Sequence, residues 1–120
     1  MATLNVTLNI KSTDATSENL ELNHTDNLTI GNPVINTAQI SVATGAATVL
    51  IASSISNVNF LYLRNTDSTN FVDVKTDGGT SFAKLSPGEF LYMPLAVSTG
   101  VEVQADTSAC VVEYGYWTRS

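Results

Sequence analysis

The sequence predicts an all-β protein, an antiparallel β-sandwich of jelly-roll type with roughly eight to ten short strands. Three observations carry that expectation. Apolar and polar residues alternate, most clearly where Leu4, Val6, Leu8 and Ile10 interleave with Thr3, Asn5, Thr7 and Asn9. Turn-forming residues recur at intervals of about 8–12 positions, the spacing of short strands in a sandwich or barrel. Neutral polar residues also stand in for charge. The chain has 16 Thr, 12 Ser and 11 Asn, with charged residues at only 13%, about half the usual share. Thr suits a half-exposed strand, whereas Ser and Asn suit turns. No stretch keeps a helical period, and at most a short helical turn fits between Asp14 and Asn19.

The elements follow in order. Thr3 to Ile10 reads as a strand with one wet face, and Lys11 to Ser17 as a polar connection. Leu20 and Leu22, then Leu28 and Ile30, resume the alternation on either side of Asn23 to Asn27, which is expected to be a hairpin turn. Gly31-Asn32-Pro33 breaks the chain. Ala38, Ile40 and Val42 give the next strand. The pattern then changes, because Val49-Leu50-Ile51, Phe60-Leu61-Tyr62-Leu63 and Phe90-Leu91-Tyr92-Met93 are continuously apolar. Between them, Arg64 to Asn70 is a loop and Val72 and Val74 mark a short strand. Asp77-Gly78-Gly79 forms a tight turn through left-handed backbone conformations, and Ser86-Pro87-Gly88-Glu89 forms a type II turn. Val101 and Val103, then Val111 to Trp117, complete the set.

Length and charge bound the rest. The 120 residues make one domain, residues 1–120, large enough for a core without disulfides or metals. Five basic residues against eleven acidic ones give a net charge of −6, with no basic stripe. Phosphate backbones and anionic lipid surfaces are bound through Lys and Arg, so nucleic acid and membrane are not expected partners. No signal sequence is expected at Met1-Ala2-Thr3, and no run reaches the ~20 apolar residues of a helical membrane span.

The continuously apolar strands present a second hydrophobic face, which a monomer rarely leaves in water. Either the N-terminal strands fold over it or a neighbouring subunit does. Leu61 and Leu63, with Leu91 and Met93, are placed on that second face as a candidate subunit interface. Leu4, Val6 and Leu8 join them, since an alternating terminal strand over residues 2–10 can add to a neighbour's sheet. Trp117, close to the C-terminus, is a further anchor, because a large ring on a frayed end needs a partner.

No catalytic constellation is legible. The single His24 and single Cys110 offer no paired spacing for a metal or a nucleophile–base pair, and Cys110 sits in an apolar run that predicts an inert, buried thiol. Asp73, Glu102 and Glu113 fall at outward strand positions, while Asp67 and Asp77 fall in turns. Their spacing fits no calcium loop. Tyr62, Tyr92, Tyr114, Tyr116 and Trp117 are either core and interface or a stacking platform for sugars. The expectation is therefore no enzyme, no metal and no cofactor.

One resemblance exists. Phe60-Leu61-Tyr62-Leu63-Arg64-Asn65-Thr66-Asp67, Val72-Asp73-Val74, Leu85-Ser86-Pro87-Gly88-Glu89-Phe90 and Met93-Pro94-Leu95 resemble small β-sandwich virion proteins of tailed bacteriophages, over the half of the chain from Phe60 onward. The resemblance implies a structural protein of the virion, made in the host cytoplasm. Its most specific form is a capsid decoration (cement) protein, bound to the major capsid protein outside the shell as a homo-oligomer, with a trimer favoured. A net charge of −6 disfavours a position against packaged DNA. The alternatives are a tail, baseplate or fibre-associated subunit, and a carbohydrate-binding module.

Overall fold

A computed structural model describes residues 2–15, 17–31, 35–55, 58–96 and 98–119, with Ala2 and residues 35–37 as backbone only. It contains ten strands, and no helix among the described residues. They are β1 (Ala2–Ser12), β2 (Leu20–Ile30), β3 (Ile35–Val42), β4 (Thr48–Ile51) and β5 (Phe60–Asn65), then β6 (Val72–Thr76), β7 (Ser81–Leu85), β8 (Phe90–Pro94), β9 (Val101–Ala105) and β10 (Cys110–Trp117).

Eight of these strands form an antiparallel sandwich, with one sheet ordered β3-β10-β5-β8 and the other β4-β9-β6-β7. The pairing is nested: β3 with β10, β4 with β9, β5 with β8, and β6 with β7. Both sheets contribute alternate residues to one core. Leu61, Leu63 and Val112 come from the first, and Val72, Val74, Val101 and Val103 from the second, all at 0% exposure. This is the inner-face alternation of two packed sheets.

The remaining two strands leave the sandwich as an antiparallel ribbon with eleven residues on each side, Ala2 opposite Ile30 and Ser12 opposite Leu20. At ~3.4 Å per residue it is about 37 Å long. It enlarges the molecule: the radius of gyration is 15.6 Å, against about 13.6 Å for a compact chain of this length.

Three turn and strand expectations change. Asn23 to Asn27 is no hairpin; it is the middle of β2, and the chain reverses between Ser12 and Leu20. There the Ser12 hydroxyl accepts the Asp14 and Ala15 amides at 3.3 and 3.0 Å, which starts the turn and removes the need for a helical one. In β4 a bulge between Val49 and Ile51 buries Leu50 and Ile51 together and leaves Val49 exposed, because an extra residue breaks the alternation. At Asp77-Gly78-Gly79 only Gly78 is left-handed, at φ 75°. Gly88, at φ 81°, does occupy the left-handed position of a type II turn closed by the Glu89 amide on the Ser86 carbonyl. Of the expected break at Gly31-Asn32-Pro33, Asn32 and Pro33 lie outside the described residues.

The loop after β5 and the turn after β7 fold as one buttress around Asn65. Asn65 is fully buried, and its side-chain amide donates to the carbonyls of Asn70 and Leu85 at 2.9 and 3.0 Å. Its side-chain oxygen accepts the Asp67 amide at 3.0 Å. Its backbone binds the turn that follows β7: the Asn65 amide donates to the Glu89 carbonyl, and the Gly88 amide donates to the Asn65 carbonyl. Asp67 then caps the loop by accepting the amides of Thr69 and Asn70, and these bonds hold its carboxyl below the usual range. The motif residues are thus a satisfied buried polar network that fixes a corner of the sandwich.

Candidate interaction surface

The outer face of the β3-β10-β5-β8 sheet is aromatic. Register places Trp117 beside Phe60, Tyr62 beside Tyr92, and Arg64 beside Phe90. Phe60 and Tyr92 stack with centroids 6.3 Å apart and planes within 5°. The Arg119 guanidinium covers Phe60 at 4.9 Å, a cation–π contact that helps bury the ring outside the core. The Tyr62 hydroxyl donates to Glu113 at 3.0 Å. Phe90 remains 59% exposed.

This assignment reverses the expected faces. Leu61 and Leu63 are core residues at 0% exposure, and Leu91 and Met93 pack against that core. Leu61 and Leu63 therefore offer no subunit contact, whereas Leu91 and Met93 pack on the core and stay half-buried. Both faces of β5 and β8 are apolar, and the orientation adopted buries Leu61 and Leu63 and turns Phe60, Tyr62, Phe90 and Tyr92 away from the second sheet. Tyr116 goes the other way, into the core, and Tyr114 packs against it, so neither belongs to an outer platform.

The ribbon folds back toward this face. Its two strands share one apolar side, on which Leu4 stands opposite Leu28, Ile10 opposite Leu22, and Val6 and Leu8 opposite Asp26 and His24. The other side carries Thr and Asn. At the root the ribbon is tied to the C-terminal strand through an Ile30–Arg119 bridge and a bond from the Gly31 amide to the Thr118 carbonyl. Ile30 is buried, and Leu4, Val6 and Leu28 are partly so. Asp26 and Arg119 both act on the Tyr92 hydroxyl. Burial raises its pKa first and the Asp26 carboxylate adds to this, with Arg119 opposing. The Tyr92 hydroxyl is buried and meets no hydrogen-bond partner among the described residues.

Between ribbon and sheet lies an open groove of about 780 Å3. One wall is the run from Leu4 to Asn9. Tyr62, Phe90, Leu91, Tyr92 and Trp117 make the other. Six consecutive residues of a strand line a groove only if the strand presents its edge, because side chains alternate between faces. Among the described residues β1 pairs only with β2, and β8 only with β5, so each of these strands keeps an unpaired edge. Further out, Leu8, Ile10 and Leu22 are 45%, 42% and 53% exposed.

The other expected sites separate. Trp117 sits in β10 and lines the groove, and the chain after it is tied down by the Arg119 amide on Asn59, so this end is not frayed. His24 is exposed in the middle of β2, while Cys110 is buried at the start of β10 with its thiol pKa pushed up by burial. Asp67 and Asp77 each cap separate backbone amides, Asp77 accepting that of Ser53 at 3.1 Å. No group of three metal-ligating side chains converges among the described residues. The ribbon itself is what sequence reasoning missed. Its signal was present: Leu20, Leu22, Leu28 and Ile30 keep one phase of the period-2 pattern straight through Asn23 to Asn27.

Compared with known protein families, with curated proteins and with solved structures, the chain matches none.

Proposed function

We propose that this protein is a non-catalytic structural subunit that works by self-assembly within a bacteriophage virion, in its most specific form as a decoration protein on the capsid exterior. The observation that supports assembly is the pair of uncovered apolar surfaces on one small chain: the outer half of the ribbon and the aromatic sheet face around Phe90. Surfaces of this kind are normally met by protein. The virion address rests on the phage-like stretch from Phe60 onward. The nested strand pairing adds support, since a jelly roll winds its strands in that way and is common in capsid proteins. The major capsid protein is the corresponding second partner, and a trimer the favoured homo-oligomer. Cryo-electron microscopy of purified particles is the test. Density for this fold on the outer shell is the expected result, density in the tail selects the tail or baseplate alternative, and absence of the chain from particles refutes the virion reading.

A second reading is carried by the groove. Aromatic rings on one wall and the amides of Asn5 and Asn9 on the other are the elements of a sugar site, in which rings stack on the pyranose and amides bind its hydroxyls. Glycan-array binding abolished by Trp117→Ala would select this reading. An array without signal removes it.

A further inference from the structure

The turn after β6 carries the chain's one Asp-Gly step, since no asparagine and no other aspartate precedes a glycine. Asp77 and Gly78 are the central pair of a turn that the Gly79 amide closes on the Thr76 carbonyl at 2.9 Å, with Gly78 left-handed at φ 75°. The Gly78 amide takes no part in that closing bond, and Gly78 and Gly79 are exposed. Glycine has no side chain to shield its nitrogen. The Asp77 carboxyl carbon lies one five-membered ring closure away from that nitrogen, so what governs their meeting is whatever holds the carboxylate.

Two neighbouring turns hold it. The Asp77 Oδ2 accepts the Ser53 amide at 3.1 Å, and the Asp77 amide donates to the Gly100 carbonyl at 3.4 Å. The Gly100 backbone packs so closely that a Cβ there would stand 2.7 Å from the Asp77 Cβ and 2.9 Å from the Ser53 nitrogen. The Asp77 side chain is therefore wedged between Ser53, just after β4, and Gly100, just before β9. Its rotation is restricted on that side.

We propose that Asp77 is a site of spontaneous isoaspartate formation and that this clasp sets its rate. The Gly78 nitrogen loses its proton and attacks the Asp77 carboxyl carbon. An N–C bond forms, a C–O bond of the carboxyl breaks, and one water leaves. The cyclic imide then takes one water back. Opening at the side-chain carbonyl restores aspartate. Opening at the main-chain carbonyl routes the chain through the former side chain, with one extra backbone carbon and no change in mass. Ring closure must turn the carboxyl from Ser53 toward Gly78, so the clasp opposes it. The extra carbon lengthens the turn that the Thr76–Gly79 bond closes, between β6 and β7. Site and clasp are independent of the assembly reading and of what fills the groove.

Peptide mapping tests both. The protein is held warm at neutral pH, native in one sample and unfolded in guanidinium chloride in another, then digested with trypsin. Cleavage after Lys75 and Lys84 releases peptide 76–84, which is followed by chromatography and by fragmentation that distinguishes the two linkages. The expected result is a second peak of unchanged mass, with isoaspartate at position 77, growing at least about 10-fold more slowly in the native sample. That factor is what one hydrogen bond to a charged group is worth. Ser53→Pro removes the donor: Ser53 is the second residue of a turn closed by the Ile55 amide on the Ala52 carbonyl, a position where proline fits. With circular dichroism matching the unsubstituted protein, its native rate is expected to rise about 10-fold. Absence of isoaspartate at position 77 from both samples, or its even spread over the other aspartates, overturns the site. Equal rates in native and unfolded protein, or an unchanged rate in folded Ser53→Pro, overturn control by the clasp. The native and unfolded samples decide the matter even where the proline variant does not fold.

Discussion

Ribbon and sandwich are written in the same period-2 pattern, yet one becomes a core and the other does not. In the sandwich, β5 and β6 bury Leu61, Leu63, Val72 and Val74 completely, because a second sheet of matching strands stands across from them. In the ribbon, Leu8, Ile10 and Leu22 stay about half exposed on an equally regular strand pair. A two-stranded sheet has no second layer and is marginal by itself in water. Alternation therefore specifies which side of a strand is apolar, and the presence of an opposing layer decides whether that side is buried. The ribbon's stability comes from its root at Ile30 and Gly31, and its outer half adds little to the monomer.

The largest break in this contrast comes from the core. Leu63→Ala removes a side chain at 0% exposure from the centre of β5, packed among residues of both sheets. Such truncations cost about 2–5 kcal/mol through lost transfer energy and the cavity left behind. Denaturant unfolding should show the loss in full, and a cost below ~1 kcal/mol would mean that the sandwich is packed no better than the ribbon.

Asn65→Ala comes next. It strands the Leu85 carbonyl in a buried position and the Asn70 carbonyl and Asp67 amide in part-buried ones; a buried group left unsatisfied costs about 1–3 kcal/mol before water re-enters. The expected loss is about 2–4 kcal/mol in the same assay. Together with the core substitution it asks whether the stretch around Asn65 serves the fold, as the network implies. An unfolding midpoint that does not move would detach those residues from any structural role.

How much of this was legible beforehand follows from the same contrast. The strand positions and the turn at Ser86 to Glu89 were written in local residue types, because Pro and Gly act within a turn and alternation acts within a strand. The orientation of β5 and β8 was not. Phe60 and Leu61 are both apolar, so the pattern alone gave no reason to prefer one inside. The choice depends on what the opposing sheet and the ribbon present to each face, and those residues are distant in sequence. The turn at Asn23 was misplaced for a different reason. Asn and Asp are poor strand residues by propensity, so local residue types point to a turn at Asn23 to Asn27, while the unbroken phase from Leu20 to Ile30 points to a strand. Of the residues that line the groove, Leu4, Val6, Leu8 and Trp117 stand out in the sequence as interface candidates, while the place of Phe90 and Tyr92 beside them required the fold.

At the junction of the two regions, the effect should be small and of opposite sign. The Tyr92 hydroxyl is buried without a hydrogen-bond partner among the described residues and lies under the influence of Asp26. Tyr92→Phe removes a desolvated polar group while keeping the ring that stacks on Phe60. Stability is expected to be unchanged or to rise by up to about 1 kcal/mol. A clear loss would show that the hydroxyl is bonded in solution and that ribbon and sheet are more tightly joined than the groove between them implies.

The smallest effect on stability is expected where the sequence looks most strongly patterned. Leu8→Thr/Ile10→Thr/Leu22→Thr makes the outer ribbon polar on both sides, and in dilute protein the unfolding midpoint should shift by less than about 0.5 kcal/mol, as for ordinary surface changes. Thr keeps the β-branched shape that strands favour, so the ribbon's backbone pairing is not the target. Hydrogen exchange sharpens the point: amides of the ribbon's outer half should exchange far faster than those of β5, β6 and β9 in the unsubstituted monomer, because little buried apolar surface holds them closed. If the three substitutions instead unfold the protein, the apolar side of the ribbon belongs to the monomer's own core. If they leave it intact, three exposed aliphatic residues in perfect alternation have no role within the chain that carries them, and their role lies in what the chain binds.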